Sequence, residues 1–183
     1  MNAPQNVIEH ALWLVACDAA LMTMLHEWYV RDLGIPGTGR LPFNGWIRER
    51  LDYMAGNLGS LNVSAEDMSD ALRINATGDV VAVAESIDAK EHGFKSDVNC
   101  YVEEGVVFSS LWLKGFDVKA TVDRAEDAEK RFRSVGYSAE VYVDENDSHE
   151  VTVNAQIDFG LYKKNLMDGT LAKATSIYRS IML

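Results

Sequence analysis

Cysteine is nearly absent from this chain of 183 residues: only Cys17 and Cys100 occur, one in a helical pattern and the other in a strand pattern. A disulfide framework is not indicated, and a reducing cytoplasm is the expected setting. Basic side chains are scarce as well, 17 Lys and Arg against 28 Asp and Glu, for a formal charge of −11 at pH 7. On average such a surface repels phosphate backbones and anionic lipid, so direct binding to nucleic acid or to a membrane is not expected. Long hydrophobic runs are also missing. The apolar stretch after MNAPQNVIEH is interrupted by Asp18 and closed by His26 and Glu27, and those first ten residues lack the basic region and cleavage site of a secretory signal.

Motifs that carry chemistry are equally thin. His10, His26, His92 and His149 form no His-Glu-x-x-His arrangement and pair with no cysteine at zinc spacing. Ser109 and Ser110 sit mid-strand rather than in a Gly-x-Ser-x-Gly elbow. The run GIPGTGRL, residues 34 to 41, comes close to a phosphate loop but puts Arg40 where a lysine should meet phosphate and Leu41 where a hydroxyl should hold magnesium. It also follows a helix instead of a strand, so it reads as a connector. Cys17 lies in an apolar helical pattern, where a thiol behaves as a small hydrophobe. No cofactor and no catalytic residue are expected, and an enzymatic role is not favoured.

What is present is a change of period along the chain. Residues 7 to 33 lack Gly and Pro and are apolar nearly all round, which predicts one long helix closed by Gly34. Asn44 is placed to cap a helix through Met54, Ser64 begins another, and Asp79 caps a further one through residues 80 to 91. From residue 97 the spacing turns to two. Segments 97–103 and 106–113 flank a Glu-Glu-Gly turn, and Phe116, Val118, Ala120 and Val122 alternate as a third strand. Residues 124 to 135 read as a helix with Asp123 and Glu126 at its start and Lys130, Arg131 and Arg133 near its end. A hairpin follows, and residues 170 to 182 form a last amphipathic helix carrying Leu171, Ala174, Ile177, Tyr178 and Ile181.

The expected fold class is therefore α+β: a helical N-terminal half, then βββαββα, with an antiparallel sheet covered on one face by helices. One domain over residues 1–183 is expected, with residues 1–92 and 93–183 as its lobes.

The stretch VYVDENDSHEVTV, residues 141 to 153, poses the sharpest question. If Val143 pairs with Val151 and Val141 with Val153, then Asp144 faces Glu150, and like charges directly opposite are destabilising. A hard cation held by Asp144, Asn146, Asp147 and Glu150 is one answer. The run departs from a calcium loop, however, with His149 at the glycine place and Ala155 at the terminal glutamate place. A solvated turn is the favoured reading, and no metal is expected.

Acids gather at Glu66, Asp67 and Asp70, at Glu85, Asp88 and Glu91, at Glu126, Asp127 and Glu129, and at the hairpin tip. Grouped on an outer face, they would suit a protein partner with a basic surface. The expected function is a non-enzymatic interaction module, in its sharpest form an acidic inhibitor or decoy of a nucleic-acid-handling complex, of the kind that viruses encode against host defences. The residues expected to meet the partner are Glu126, Asp127, Glu129, Asp144, Glu145, Asp147 and Glu150. Trp13, Trp28, Trp46 and Trp112 are interface candidates whose spacing suits a core better. Two other readings stand beside it: a site for a small substrate or ligand built from residues distant in sequence, such as Asp18, His26, Arg48 and Tyr101, and a homodimer with the N-terminal helix as its seam.

Overall fold

The computed structural model describes residues 5–33, 41–59, 62–134 and 136–165. Helices occupy the first half and a four-stranded antiparallel sheet with further helices follows, so the chain is α+β. It divides into two compact units, one holding the residues up to Ala76 together with Val102–Gly105, the other Thr77–Tyr101 and the residues from Val106 onward. The connector at residues 34 to 40 and the helix expected over 170 to 182 lie outside the described residues.

The first unit contains α1 (Gln5–Ala16), α2 (Ala19–Leu33), α3 (Phe43–Asn57) and the start of α4 (Ala65–Glu91). The single helix expected over residues 7 to 33 is in fact two, bent by 99° at Cys17 and Asp18. Asp18 causes the break: its Oδ1 accepts from the backbone N–H of Leu21 at 2.9 Å, satisfying an orphan donor of a new first turn. The other carboxylate oxygen takes the guanidinium of Arg73. Cys17 is consequently exposed at the corner instead of lying inside a helix. Ile8, Ala11 and Val15 of α1, Leu21 and Leu25 of α2, and Ile47, Leu51 and Met54 of α3 are buried where these helices pack on one another. Helix α3 starts after Pro42 rather than at Asn44: the Pro42 carbonyl accepts the first helical bond, from Trp46 N–H at 2.9 Å, and no side chain caps this end. Among the described residues no single helix is long and apolar enough to cross a membrane.

Ser64 begins α4 as expected, its Oγ accepting from Asp67 N–H at 3.0 Å. The two helices expected on either side of Gly78 are one, and Asp79 is an interior residue of it.

In the second unit the sheet runs in the order β1 (Phe94–Glu103), β2 (Val106–Gly115), β4 (Glu150–Asp158), β3 (Ser138–Val143). Glu104 at φ 50° and Gly105 at φ 77° make the two-residue turn between β1 and β2, both in the left-handed region that such tight hairpins require. The third strand expected over residues 116 to 122 is instead the start of α5 (Val118–Ser134). Asp117 overrides the alternation: its Oδ1 caps Ala120 N–H at 3.0 Å and its carbonyl accepts from Thr121 N–H at 3.0 Å. The buried set Thr121, Ala125, Ala128 and Phe132 then follows a helical spacing.

Helix α5 packs across β2, β3 and β4. It covers the face that presents Val107, Leu111 and Leu113 of β2 and Val151, Val153 and Ile157 of β4, all buried. The short α6 (Phe159–Asn165) packs on β4 and β2 through its first turns, with Phe159 and Tyr162 buried. Strand register is the one that the apolar spacing implies, with Val143 opposite Val151 and Val141 opposite Val153.

Candidate functional site

The turn that joins β3 to β4 explains how its acids coexist. Asp144 N–H donates to the Glu150 carbonyl at 2.9 Å, so these residues do face each other. The Asp144 carboxylate is turned into its own loop, where Oδ1 accepts from the N–H groups of Asn146 at 2.7 Å and Asp147 at 2.9 Å. Such an arrangement fixes the tip as a local turn. The charges of Asp147 and Glu150 are met by Lys114 of β2, which donates to Asp147 Oδ2 at 2.8 Å and to Glu150 Oε1 at 2.7 Å. Lys114 stands opposite Glu150 in the β2 and β4 register. Its hydrogen bonds to Asp147 and then Glu150 hold the Lys114 ammonium above the ordinary lysine range. Reciprocally, Lys114 first and the His149 N–H second hold the Asp147 carboxyl below its ordinary value. The cation-ligand set Asp144, Asn146, Asp147 and Glu150 is thus largely engaged by N–H and ammonium donors.

Next to this clamp is a cleft of about 310 Å³ lined by Gly93, Lys95, Lys114, Gly115, Phe116, Asp147 and His149. Three sequence-distant segments meet there, so no local motif announces it. Phe116, between β2 and α5, is 95 % exposed. Gly115 beside it is buried, and a side chain on it would strike the Phe94 ring and Thr121 Oγ1. His149 is tied to Gly115 twice: its carbonyl accepts from Gly115 N–H at 3.2 Å and its ring Nδ1 lies 2.9 Å from the Gly115 carbonyl.

The seven acids expected to meet a partner fall on two elements, Glu126, Asp127 and Glu129 on α5 and the other four at the β3 to β4 turn. On α5, Glu129 pairs with Arg133 at 2.8 Å and Asp127 lies 3.8 Å from Lys130, while Asp123 holds Lys119 at 2.6 Å. Glu126, Asp144 and Glu145 are exposed. Glu85 is not on an outer face at all. It is fully buried, its Oε1 accepting from Arg124 at 2.9 Å, and burial pushes its carboxyl above the ordinary range despite that contact.

The face of the sheet opposite α5 carries features that the charge pattern concealed. Tyr101 of β1 and Phe108 of β2 stack with centroids 5.3 Å apart. Across the strands, Trp112, Thr152 and Tyr142 form one row and Phe108, Gln156 and Ser138 another. Tyr101 and Tyr142 are exposed, and Trp112 and Phe108 are half-buried. By strand alternation this face also receives Lys95, Asp97, Glu103, Lys114, Glu140, Glu150 and Asp158, two cations against five acids.

The distant residues proposed for a small-molecule site have separate neighbours. His26 packs edge-on against Phe43 with centroids 5.6 Å apart, Arg48 pairs with Glu9 at 2.6 Å, Asp18 caps α2, and Tyr101 stacks on Phe108. Of the four tryptophans, Trp46 is buried and Trp13 exposed, with Trp28 and Trp112 between. No family model, curated protein or solved structure matches this chain.

Proposed function

We propose that this chain is a non-enzymatic interaction module that binds a protein with a basic surface, and that it does so with the open face of its sheet. The single observation that carries this reading is that face itself. One side of the sheet lies under α5, while among the described residues the other presents Tyr101, Phe108, Trp112 and Tyr142 amid an excess of acids. Aromatic anchors within a charged rim are the composition of a protein-binding surface. The acid excess and the chain's charge of −11 favour a cationic counterpart and disfavour a nucleic acid, which would otherwise suit a sheet with stacked rings.

In its sharper form the partner is a nucleic-acid-handling complex, and the chain is an acidic inhibitor that competes for its basic channel. Internal pairing of Glu129, Asp127, Asp147 and Glu150 with cations weakens that form, since charges already met by Arg133, Lys130 and Lys114 imitate phosphates poorly.

Affinity capture from the native cell tests the reading, using the wild-type chain and the open-face variants Tyr101→Ser and Tyr142→Ser. The expected result is a partner retained at low salt, weakened as the screening length falls from about 10 Å to about 3 Å, and lost with the variants. Displacement by heparin would favour the channel-inhibitor form. Capture indifferent both to salt and to the open-face variants would overturn the reading.

A further inference from the structure

We propose that the cleft between Lys95, Phe116 and His149 binds a small planar anion that carries a hydrogen-bond donor, of the hydroxy- or amino-substituted aromatic carboxylate class. The proposal is independent of protein docking on the open face, and either can fail alone.

Size comes first. A volume of about 310 Å³ lies at the small end of ligand pockets and has room for one substituted ring.

Chemistry follows from the lining. The Phe116 ring is 95 % exposed and follows a Gly115 whose Cβ position is blocked by Thr121 and Phe94, so it is an aromatic face open to a ligand. A planar ligand that stacks on it removes apolar surface from water on both sides.

Lys95 supplies the charge. The strand offset that puts Tyr101 beside Phe108 and Cys100 beside Ser109 also puts Lys95 beside Lys114. The Lys114 ammonium is turned toward β4 and the turn before it, where Asp147 and Glu150 meet its charge. Lys114 commits two of its three N–H donors to Asp147 and Glu150, leaving one. Among the described residues Lys95 has no ion-pair partner, so it is the cation available to a ligand carboxylate.

His149 supplies the selection for a donor. A carbonyl only accepts, so the contact between His149 Nδ1 and the Gly115 oxygen places the ring proton on Nδ1. Neutral His149 therefore keeps a bare Nε2, an acceptor for a ligand O–H or N–H.

Titration of 15N-labelled protein with 4-hydroxybenzoate, followed by heteronuclear NMR, tests the proposal. Benzoate serves as the analogue without the donor and 4-hydroxybenzylamine as the analogue of opposite charge. The expected result is saturable shifts at the amides of Gly93, Gly115, Phe116 and His149, at least about three-fold weaker binding of benzoate and no saturable binding of the amine. Phe116→Ala and Lys95→Gln should each weaken 4-hydroxybenzoate at least about ten-fold. Both side chains are solvent-exposed, and the spectra themselves report whether the variants remain folded. Should a variant unfold, the ligand series on the wild-type protein still decides the matter. Absence of shifts at these amides up to about 10 mM would overturn the proposal, as would equal binding of acid and amine.

Discussion

Gly78, inside α4, lies so close to Cys100 of β1 that a Cβ on it would come within 2.4 Å of the Cys100 Cβ. Glycine is a poor helix former, and replacing it by alanine in an open helix gains about 1 kcal/mol. Here the contact is with a Cβ held by a strand backbone, and overpacking of that kind costs about 1–3 kcal/mol. Gly78→Ala is expected to lower the unfolding free energy by a net amount of about 1 kcal/mol in denaturant titrations. The partner atom makes the test specific. Cys100→Ala keeps the Cβ and should not restore the loss, whereas in a Cys100→Gly background Gly78→Ala should become neutral or favourable.

That same glycine shows where sequence reading stops. Gly78 followed by Asp79 carries the signs of one helix ending and another being capped, and local spacing holds no trace of β1 passing alongside. Asp18 and Asp117 show the opposite failure. Each is a cap written plainly in the sequence, yet one was hidden by apolar residues all round the helix and the other by four residues that alternate like a strand. The β3 to β4 hairpin was legible down to its pairing, because Val141, Val143, Val151 and Val153 admit one register that buries them. What answers its acids was not, since Lys114 arrives from β2, across a sheet whose strand order local spacing does not specify. The cleft at His149 and the stacked Tyr101 and Phe108 are products of that same strand order, and neither leaves a local motif.

Glu85 and Arg124 form a buried pair whose removal is expected to be costly. Arg124 also donates to Asp88 Oδ2 at 2.7 Å, and its Cζ lies 5.4 Å from the centre of the Phe94 ring. Arg124→Met strands a fully buried carboxylate and should cost about 3 kcal/mol, the low end for breaking such a pair, because Arg124 keeps some access to solvent. The pH dependence carries a distinct sign. Burial raises the Glu85 carboxyl above 4.5 in the folded protein. The native state therefore binds the proton more readily than the unfolded chain, and this group's contribution weakens as pH rises from about 4.5 through the raised value. The stability of the wild type minus that of Glu85→Gln should fall across that window and then level off, measured by chemical denaturation at stepped pH. A difference that rose across the window would contradict the assignment.

Lys114 is expected to set the titration of the hairpin. Asp147 is held below its ordinary value by Lys114 first, so its stabilising contribution is present above about 3.8 and lost as pH falls through the depressed folded value. In Lys114→Met, the Asp147 carboxyl followed by NMR should move upward, because its cation is gone and Glu150 remains nearby. The fold itself should survive, with only a small loss of stability that added salt reduces, since these groups are largely in water. An Asp147 titration unchanged by the substitution would remove Lys114 from its role in holding the acids together.

Arg50 of α3 sits in the corner formed by two tryptophans that meet edge to face with centroids 5.4 Å apart, its Cζ 4.1 Å from the ring centres of both Trp28 and Trp46. Asp32 closes the arrangement with one oxygen, Oδ2, which accepts from the Arg50 guanidinium at 2.5 Å and from Trp46 Nε1 at 3.2 Å. A guanidinium can lie against both of these mutually perpendicular rings while an N–H donates to a carboxylate. An ammonium cannot do so. Arg50→Lys should therefore cost about 1–2 kcal/mol, the range for a cation shielded from water by rings, and Arg50→Met should cost no less. Asp32→Asn should cost part of the same energy, and the double variant Arg50→Met, Asp32→Asn should cost less than the sum, because both act on one contact. Tryptophan emission, to which Trp28 and Trp46 contribute two of the four indoles, should change in the folded state of each single variant. Additive losses with unchanged emission would mean that Arg50 merely lies near the rings, and that α2 and α3 are held by their apolar contacts alone.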